Sequence, residues 1–256
     1  METNNEKKLG KTKSKKPLII VLIILLVLLG GAVWYFQFGD GYLMTIPHRP
    51  GYTKIADNIY VNKDYAGDRN EVLALVEEAK ARDTAFFGEL QGFDDWTLVV
   101  YDDPKLTPKL GDKTTHTVIF PVKKECTGIL QEYLNVDIVA HEMTHAELHS
   151  HFRSTTTQKK MPTWFDEGVA TQNDYREQYS AENWAEQTDN GKNATPLEDM
   201  DTPKEFYAGE AEDRRFRYLC AKHEVAKWLE THTVQELLAL ADKVDAGEDF
   251  YTLYRQ

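Results

Sequence analysis

Two histidines four residues apart, His141 and His145, enclose Glu142 in the middle of the chain. Residues four apart on an α-helix project from one face, about 6 Å apart along the axis, so both imidazoles can bind one tetrahedral cation. Glu142 points in a neighbouring direction, where its carboxylate can reach water at the metal without being a ligand. The sequence therefore predicts a zinc-binding helix that carries a general base.

A second stretch, from Trp164 to Ala170, supplies an acidic group in Glu167. A catalytic zinc normally has three protein ligands and one open position. Glu167 is predicted on the next helix, directly before Gly168, and a small residue there lets two helices approach closely. Glu167 is therefore the candidate third ligand.

His149 and Asp166 lie close to these residues in the sequence, and each has two interpretations. His149 follows His145 by four residues, but an acidic ligand from a second helix is better specified, so we predict a surface or supporting position for His149. Asp166 follows Thr163 by three residues, which is the pattern of a helix capping box. Capping is the prediction for Asp166, and orientation of a ligand histidine is the alternative.

The two stretches together, His-Glu-x-x-His and Trp-Phe-Asp-Glu-Gly-Val-Ala, resemble the gluzincin metallopeptidases, the clan of thermolysin and related aminopeptidases. The resemblance covers residues 136–171 as a specific motif pair and residues 56–254 as a coarse pattern. It implies peptide hydrolysis with Glu142 as the catalytic acid/base. It also implies one Zn²⁺ ion with three ligands, His141, His145 and Glu167.

Two departures from the clan narrow the resemblance. The Gly-x-Met-Glu-Asn stretch with which aminopeptidases hold a substrate amino terminus is missing from the sequence, which favours an endopeptidase. Thr171 stands four residues after Glu167, where thermolysin-like enzymes carry an Asp that orients a ligand histidine. The pattern is similar to that of short, single-domain, peptidase MA-like relatives.

The resemblance further implies a Tyr or His from the carboxy-terminal lobe that stabilises the tetrahedral oxyanion. Tyr207 matches that position best, and Tyr218 and His223 are the alternatives. The implied partner is a peptide or protein substrate. Two other functions stay open: a zinc-binding scaffold that recognises peptides without cleaving them, and a zinc-dependent hydrolase of another amide in the cell envelope.

The amino terminus predicts a membrane anchor. Residues 1–16 hold six lysines and two glutamates, and residues 18–36 are apolar throughout. Nineteen residues at 1.5 Å each span about 28 Å, enough for a bilayer core. A cleaved signal peptide is the alternative, although this run is longer than usual and ends in aromatic residues. We predict a cytoplasmic tail at 1–16 and an uncleaved transmembrane signal anchor at 17–38, with the remainder outside a single-pass cell membrane protein.

Beyond the anchor, residues 39–55 are rich in Gly, Pro and polar residues and are predicted to be a juxtamembrane spacer. Residues 56–256 then form one zincin-like metallopeptidase domain. The formal net charge of −12 becomes −16 once the +4 of the tail is removed. Such acidity argues against nucleic acid as a partner and mildly favours cationic substrates, although it also simply keeps a surface domain soluble.

Hydrophobic periodicity predicts an α+β fold: a small mixed sheet lobe, the metal helix at the interface, and a helical lobe behind it. The resemblance implies that this fold is zincin-like. The strand at 115–120 is either an edge strand that pairs with extended substrate backbone or an ordinary sheet strand. The predicted segments are strands at 59–61, 96–101 and 115–120, helices at 70–90 and 135–150, an inserted polar segment at 174–201 beside the cleft, and apolar helical stripes at 216–229 and 234–241.

Cys126 and Cys220 would both face an oxidising compartment if the predicted topology holds. A disulfide between them would tie the segment before the metal helix to a late helix. The alternative is that Cys220 is a buried small hydrophobe. Sequence spacing cannot test the geometry that a disulfide requires, so both interpretations stay open.

Overall fold

The computed structural model describes residues 16–39, 41–110, 115–120 and 124–256. The fold is mixed α+β, with a small five-stranded sheet. The strands are β1 (Tyr52–Ala56), β2 (Ile59–Asn62), β3 (Trp96–Tyr101), β4 (Thr115–Phe120) and β5 (Lys124–Leu130). The longer helices are α1 (Lys16–Phe38), α2 (Arg69–Phe87), α3 (Val136–Ser150), α4 (Thr163–Ala170), α5 (Ala181–Gln187), α6 (Ala211–Leu229), α7 (Val234–Ala246) and α8 (Phe250–Tyr254). Single helical turns lie at Gly41–Met44, Thr107–Leu110, Thr155–Gln158 and Pro203–Phe206.

The sheet has the strand order β1-β2-β3-β5-β4 and mixes parallel with antiparallel pairs. β2, β3 and β5 run parallel, whereas β1 and β4 pair antiparallel with their neighbours. The central strand β3 is mostly buried on both faces, which explains why it is largely apolar. β4 is an edge strand of the described sheet, and its Thr117 hydroxyl donates to Glu142 on the predicted metal helix.

Two apolar cores hold the sheet lobe and the helical lobe together. One face packs against α2 and α3 through a core that includes Val76, Leu98 and Met143. A second core joins α4, α6 and α7 in a helical lobe around Phe165 and Val225. Full burial of one such side chain contributes about 1.5–3 kcal/mol. α3 therefore lies between the sheet lobe and the helical lobe, as the sequence predicted.

The metal helix has the predicted bounds because its amino terminus carries a strong local signal. The Asn135 side chain accepts a hydrogen bond from the Ile138 N–H at 3.0 Å, which satisfies one of the free donors of the first helical turn. The helix then continues to Ser150. These bounds place His141 and His145 on consecutive turns in its middle.

The predicted juxtamembrane spacer at 39–55 is wrong for the residues that the structure describes. Leu43 and Ile46 are 0% and 1% exposed and cover the sheet face that does not contact α2, next to Val99. Residues from Tyr52 onward pair with β2 as strand β1. The large apolar side chains of this segment cover the sheet, so the segment is part of the domain. Its Gly and Pro residues therefore mark turns within the fold rather than a flexible spacer.

One helix, α1 near the amino terminus, is long and apolar enough to cross a membrane. None of its apolar window Ile19–Phe38 is buried inside the protein. Its carboxy-terminal end is tied to the domain by Arg49, whose guanidinium donates to the Phe36 carbonyl at 2.5 Å. A signal sequence meets the same criterion of length and composition, so anchoring and orientation stay predictions.

The two cysteines are free and buried in different cores. Cys126 belongs to the core beneath Leu43, whereas Cys220 belongs to the helical lobe. Burial raises the pKa of the Cys126 thiol to about 12, which makes it unreactive at neutral pH. The structure therefore agrees with burial of two small side chains and has no disulfide between them.

Candidate metal centre

A close contact between α4 and α6 sets the position of Glu167. A Cβ atom added at Gly168 would lie 2.6 Å from the Ala221 carbonyl oxygen, so only glycine allows this approach. Trp164, Phe165 and Val169 fix the other side of α4 in the helical lobe. The Glu167 carboxylate is thereby left facing α3, where the two histidines lie.

The three predicted ligands are brought together at the interface of the two lobes. Nε2 of His141 lies 3.2 Å from Nε2 of His145. Oε2 of Glu167 lies 3.3 Å from each of these nitrogens. All three side chains are buried, and the three atoms form a nearly equilateral triangle.

This triangle fits a tetrahedral zinc ion. With Zn–N and Zn–O bonds of about 2.0–2.2 Å, two ligand atoms on a tetrahedron lie about 3.3 Å apart, which matches the observed distances. Oε2 of Glu167 is buried and has no hydrogen-bond partner in the described part of the chain. Because burying a carboxylate oxygen without a hydrogen bond is costly, a cation at the centre of the triangle would stabilise Oε2 together with the two ring nitrogens.

Asp166 orients His145, and the predicted capping role for Asp166 is wrong. The residue before α4 is Pro162, without a side-chain cap, so the helix begins one residue earlier than the capping box requires. Oδ1 of Asp166 lies 2.8 Å from Nδ1 of His145 instead. This contact keeps a proton on Nδ1 and directs the Nε2 lone pair toward the metal position.

His141 has no such support from the position where thermolysin-like enzymes carry Asp. The Thr171 hydroxyl donates to the Glu167 carbonyl at 2.6 Å and so closes the end of α4. Nδ1 of His141 is buried without a partner among the residues that the structure describes. The side chain that orients a ligand histidine therefore comes directly before Glu167 rather than four residues after it.

His149 supports Asp166 rather than facing the solvent, and its side chain is 8% exposed. Its Nδ1 lies 2.5 Å from Oε1 of Glu125, and its Nε2 lies 3.0 Å from both oxygens of Asp166. Burial alone would lower the pKa of His149, but Asp166 and Glu125 outweigh it and raise the pKa to about 10. The Gln158 amide also reaches Nε2 at 2.8 Å and accepts there when its oxygen faces the ring.

His145, His149 and Asp166 also lie close enough to hold a metal ion by distance alone. Both ring nitrogens of His149 face carboxylate oxygens, so each is best satisfied as an N–H donor and has no lone pair for a metal. The remaining nitrogen of His145, Nε2, already belongs to the first group, which consists of His141, His145 and Glu167. We therefore assign this second group to an ion-paired network that holds Asp166 in place.

The charges of the first group suit a metal that competes with protons. Burial alone would lower the pKa of His145, but Asp166 and Glu167 outweigh it and hold the pKa well above its ordinary value. Burial would raise the pKa of Glu167, but His145 and His141 outweigh it and lower that pKa to about 2. Glu167 is therefore ionised at neutral pH, and a cation at this position displaces a proton from the imidazole.

Glu142 is held by hydroxyl groups from the sheet. Thr117 on β4 donates to Oε2 of Glu142 at 2.7 Å, and Thr127 on β5 lies 2.8 Å from the Thr117 hydroxyl. Nε1 of Trp96 on β3 donates to Thr127 at 2.9 Å. An indole N–H only donates and a carboxylate only accepts, so all three hydrogen bonds point toward Glu142. This chain fixes one oxygen of the carboxylate and leaves Oε1 for a reactant.

The metal group and Glu142 line an open cavity of about 1190 Å³ between the lobes. The edge strand β4 lines one side with Thr115, His116, Thr117 and Ile119. The segment after α4, predicted to border the cleft, does so through Arg176, Gln178 and Tyr179. Ligand sites typically measure about 300–1,000 Å³, and this cavity is larger. It therefore has room for several residues of an extended peptide.

The candidate oxyanion donors differ in their surroundings. The Tyr207 hydroxyl donates to Oε1 of Glu167, and Tyr218 packs with its ring centre 5.9 Å from that of His141. Loss of hydration at the hydroxyls and the Glu167 charge raise both tyrosine pKa values far above the ordinary value, so both hydroxyls stay protonated. His223 instead stacks on Trp184 with ring centres 3.3 Å apart and does not line the cavity.

Asp166 offers a direct test of this arrangement. We expect Asp166→Ala to weaken zinc affinity about 10–100-fold, the usual effect of losing the partner of a ligand histidine. Competition with a chromophoric chelator measures the affinity, and circular dichroism checks the fold. Thr163→Ala, which removes the residue of the predicted cap, should leave the affinity unchanged. Equal affinities for native protein and Asp166→Ala would contradict the orienting role.

Comparison of the sequence with models of known protein families gives no match, and comparison with curated proteins gives none either.

Proposed function

We propose that the chain is a zinc-dependent endopeptidase, held at a membrane by α1. The observation that carries the proposal is the triangle of His141, His145 and Glu167 atoms with sides of 3.2 and 3.3 Å beside a Glu142 carboxylate in an open cavity. Three ligands, one open position and an adjacent base are what metal-assisted amide hydrolysis requires.

Bound Zn²⁺ supplies Lewis acidity, which polarises a carbonyl oxygen and makes water acidic enough to lose a proton near neutral pH. Glu142 accepts that proton as water attacks the peptide carbonyl carbon, and it returns the proton to the departing amine. The hydrogen bond from Thr117 keeps Oε2 occupied, so Oε1 is the atom that receives and delivers the proton. General-base catalysis of this kind contributes about 10²–10⁴-fold to a rate.

Tyr207 remains the proposed donor to the oxyanion, with Tyr218 as the alternative. Both line the cavity, and both hydroxyls are protonated. The Tyr207 hydroxyl now donates to Glu167, so it must turn toward the substrate to act. A hydroxyl that keeps its proton at neutral pH is suited to donating a hydrogen bond to developing negative charge.

The proposed substrate is a peptide or protein segment that adds to β4. An edge strand offers free backbone N–H and C=O groups, which can pair with an extended chain independently of its side chains. β4 carries Thr117, so the same strand that would bind the substrate backbone also positions Glu142. In the proposed topology this site lies outside the cell membrane.

Peptide cleavage by the full chain in detergent tests the proposal. We expect the zinc-loaded protein to cleave members of a mixed peptide library, to lose this activity with a chelator, and to regain it when Zn²⁺ is added back. Mass spectrometry of the library identifies the cleaved bonds. Stoichiometric zinc without any cleavage would favour a peptide-binding scaffold, and cleavage of cell-envelope amides alone would favour the other hydrolase.

A further inference from the structure

Three arginines line the cavity, and their charges are not equally compensated. Arg176 is paired with the buried Asp174 carboxylate, and Arg215 lies 2.6 Å from Glu212. Arg214 instead donates from one nitrogen to the Gly209 carbonyl oxygen at 2.8 Å. Within residues 16–39, 41–110, 115–120 and 124–256, it forms no ion pair with a carboxylate. Arg214 therefore brings an uncompensated positive charge to the cavity wall.

The acidic residues nearest to Arg214 in sequence are already engaged. Glu210 and Asp213 form a reciprocal capping box at the start of α6, in which each carboxylate accepts a backbone N–H of the other residue. The acidic groups of the metal centre are likewise occupied, because Asp166 and Glu167 face histidines. The guanidinium of Arg214 is thus available to a carboxylate that enters the cavity from outside.

The helical spacing places Arg214 near the reaction centre. Arg214 and Tyr218 are four residues apart on α6, so they share one face and lie about 6 Å apart along the axis. Both line the cavity, and the Tyr218 ring lies 5.9 Å from the ring of the ligand His141. An extended peptide advances about 3.3 Å per residue. A guanidinium one helical turn from Tyr218 therefore reaches side chains roughly one to three residues from the scissile bond.

We propose that Arg214 forms a carboxylate-binding subsite, so that the cavity prefers peptides with Asp or Glu close to the scissile bond. This inference rests on the proposed peptidase function. A guanidinium binds a carboxylate through two parallel charge-assisted hydrogen bonds, which are about twice as strong as neutral ones. The net charge of −12 favours the opposite preference, but a guanidinium within hydrogen-bonding reach of a bound side chain outweighs more distant charges that salt screens. Glu132 also lines the cavity and is an acidic group outside the metal centre that competes with Arg214.

Matched peptides and charge-changed variants test the subsite. The peptides are identical except for Glu, Gln or Lys at one of the three positions on either side of the cleaved bond. We expect the native zinc-loaded chain to cleave the best Glu peptide with a kcat/KM about tenfold or more above its Lys counterpart. Arg214→Gln should remove this preference by lowering kcat/KM for the Glu peptide toward that for the Gln and Lys peptides, and Arg214→Glu should reverse it.

Two controls make the result specific. Arg215→Gln should keep the native preference, because Arg215 is already paired with Glu212. Glu132→Gln should keep the preference for the Glu peptide, and it should lower any contribution of Glu132 to kcat/KM for the Lys peptide. Peptides with an amidated carboxy terminus separate a side-chain carboxylate from the terminal one. A preference that disappears on amidation would overturn the side-chain assignment.

Binding separates failure of the subsite from failure of the peptidase. Fluorescence anisotropy of the labelled Glu peptide with zinc-loaded Glu142→Gln protein measures affinity without cleavage. If native protein cleaves peptides but Arg214→Glu keeps the native preference, the subsite is wrong and the peptidase stands. If nothing is cleaved but Arg214→Glu weakens binding of the Glu peptide at least tenfold, the subsite stands without the peptidase. Absence of both binding and cleavage would overturn both.

Discussion

Glu142→Gln should lower peptide cleavage by at least about a hundredfold and leave the zinc content unchanged. The amide keeps the size of the side chain and a hydrogen-bonding oxygen, but it cannot accept a proton from water at neutral pH. His141, His145 and Glu167 are untouched, so the metal should remain bound. Elemental analysis after dialysis and kcat/KM for one responsive peptide give the two measurements.

Thr117→Val is the matched comparison, because it keeps the base and removes only its hydroxyl donor. We expect its kcat to fall less than in Glu142→Gln, with KM and zinc content near the native values, since the carboxylate loses its fixed orientation but not its basicity. Thr117→Ser restores a hydroxyl and should restore most of the kcat. Similar cleavage rates in native and Glu142→Gln protein would show that another group is the base.

The features that the sequence predicted well are those that short segments specify. The metal helix follows from Asn135 as its cap and from two histidines one turn apart, both of which are local patterns. Strands β3 and β4 have the predicted bounds because each is a run rich in β-branched and aromatic residues with turn-forming residues on either side in the sequence. The prediction of Glu167 as a ligand required only that a second helix approach closely, and Gly168 indicated that close approach.

The features that the sequence missed depend on residues far apart in the chain. β5 was not predicted, because a strand covered on both faces with Gly128 and Thr127 in it has no alternating pattern. The ion pair of His149 joins it to Glu125, 24 residues earlier on that unpredicted strand. The chain of hydrogen bonds that orients Glu142 begins at Trp96, which lies 31 residues from its acceptor Thr127. No local signal marks such pairings, so only the fold reveals them.

The error at Asp166 has a different cause, because there the local signal was present and misleading. Thr163 and Asp166 have the spacing of a capping box, but Pro162 takes the capping position and starts the helix one residue early. The carboxylate is then free to face His145 and His149, which offer it charged partners. A buried pair of imidazoles is a stronger partner for a carboxylate than one backbone N–H.

Glu167→Ala should weaken zinc affinity more than about a hundredfold, as much as His141→Ala and more than the loss of Asp166. The ranking follows from position: Glu167 contributes a ligand atom, whereas Asp166 only orients one, and losing an orienting group costs about 10–100-fold. Because its pKa is lowered to about 2, Glu167 is a full negative charge at every pH at which the zinc site is assayed. Removing it takes away both a bond to the metal and the charge that balances it.

Tyr207→Phe is the control for Glu167→Ala, because it removes the hydroxyl that contacts Oε1 and leaves the metal-facing Oε2 unchanged. We expect Tyr207→Phe to retain zinc, while a fall in its kcat alone would agree with a role at the oxyanion. Chelator competition gives the affinities, and thermal unfolding of the metal-free proteins shows whether either substitution disturbs the fold. Full zinc retention by Glu167→Ala after dialysis would remove this residue from the site and leave a two-histidine group, too few ligands for a catalytic zinc.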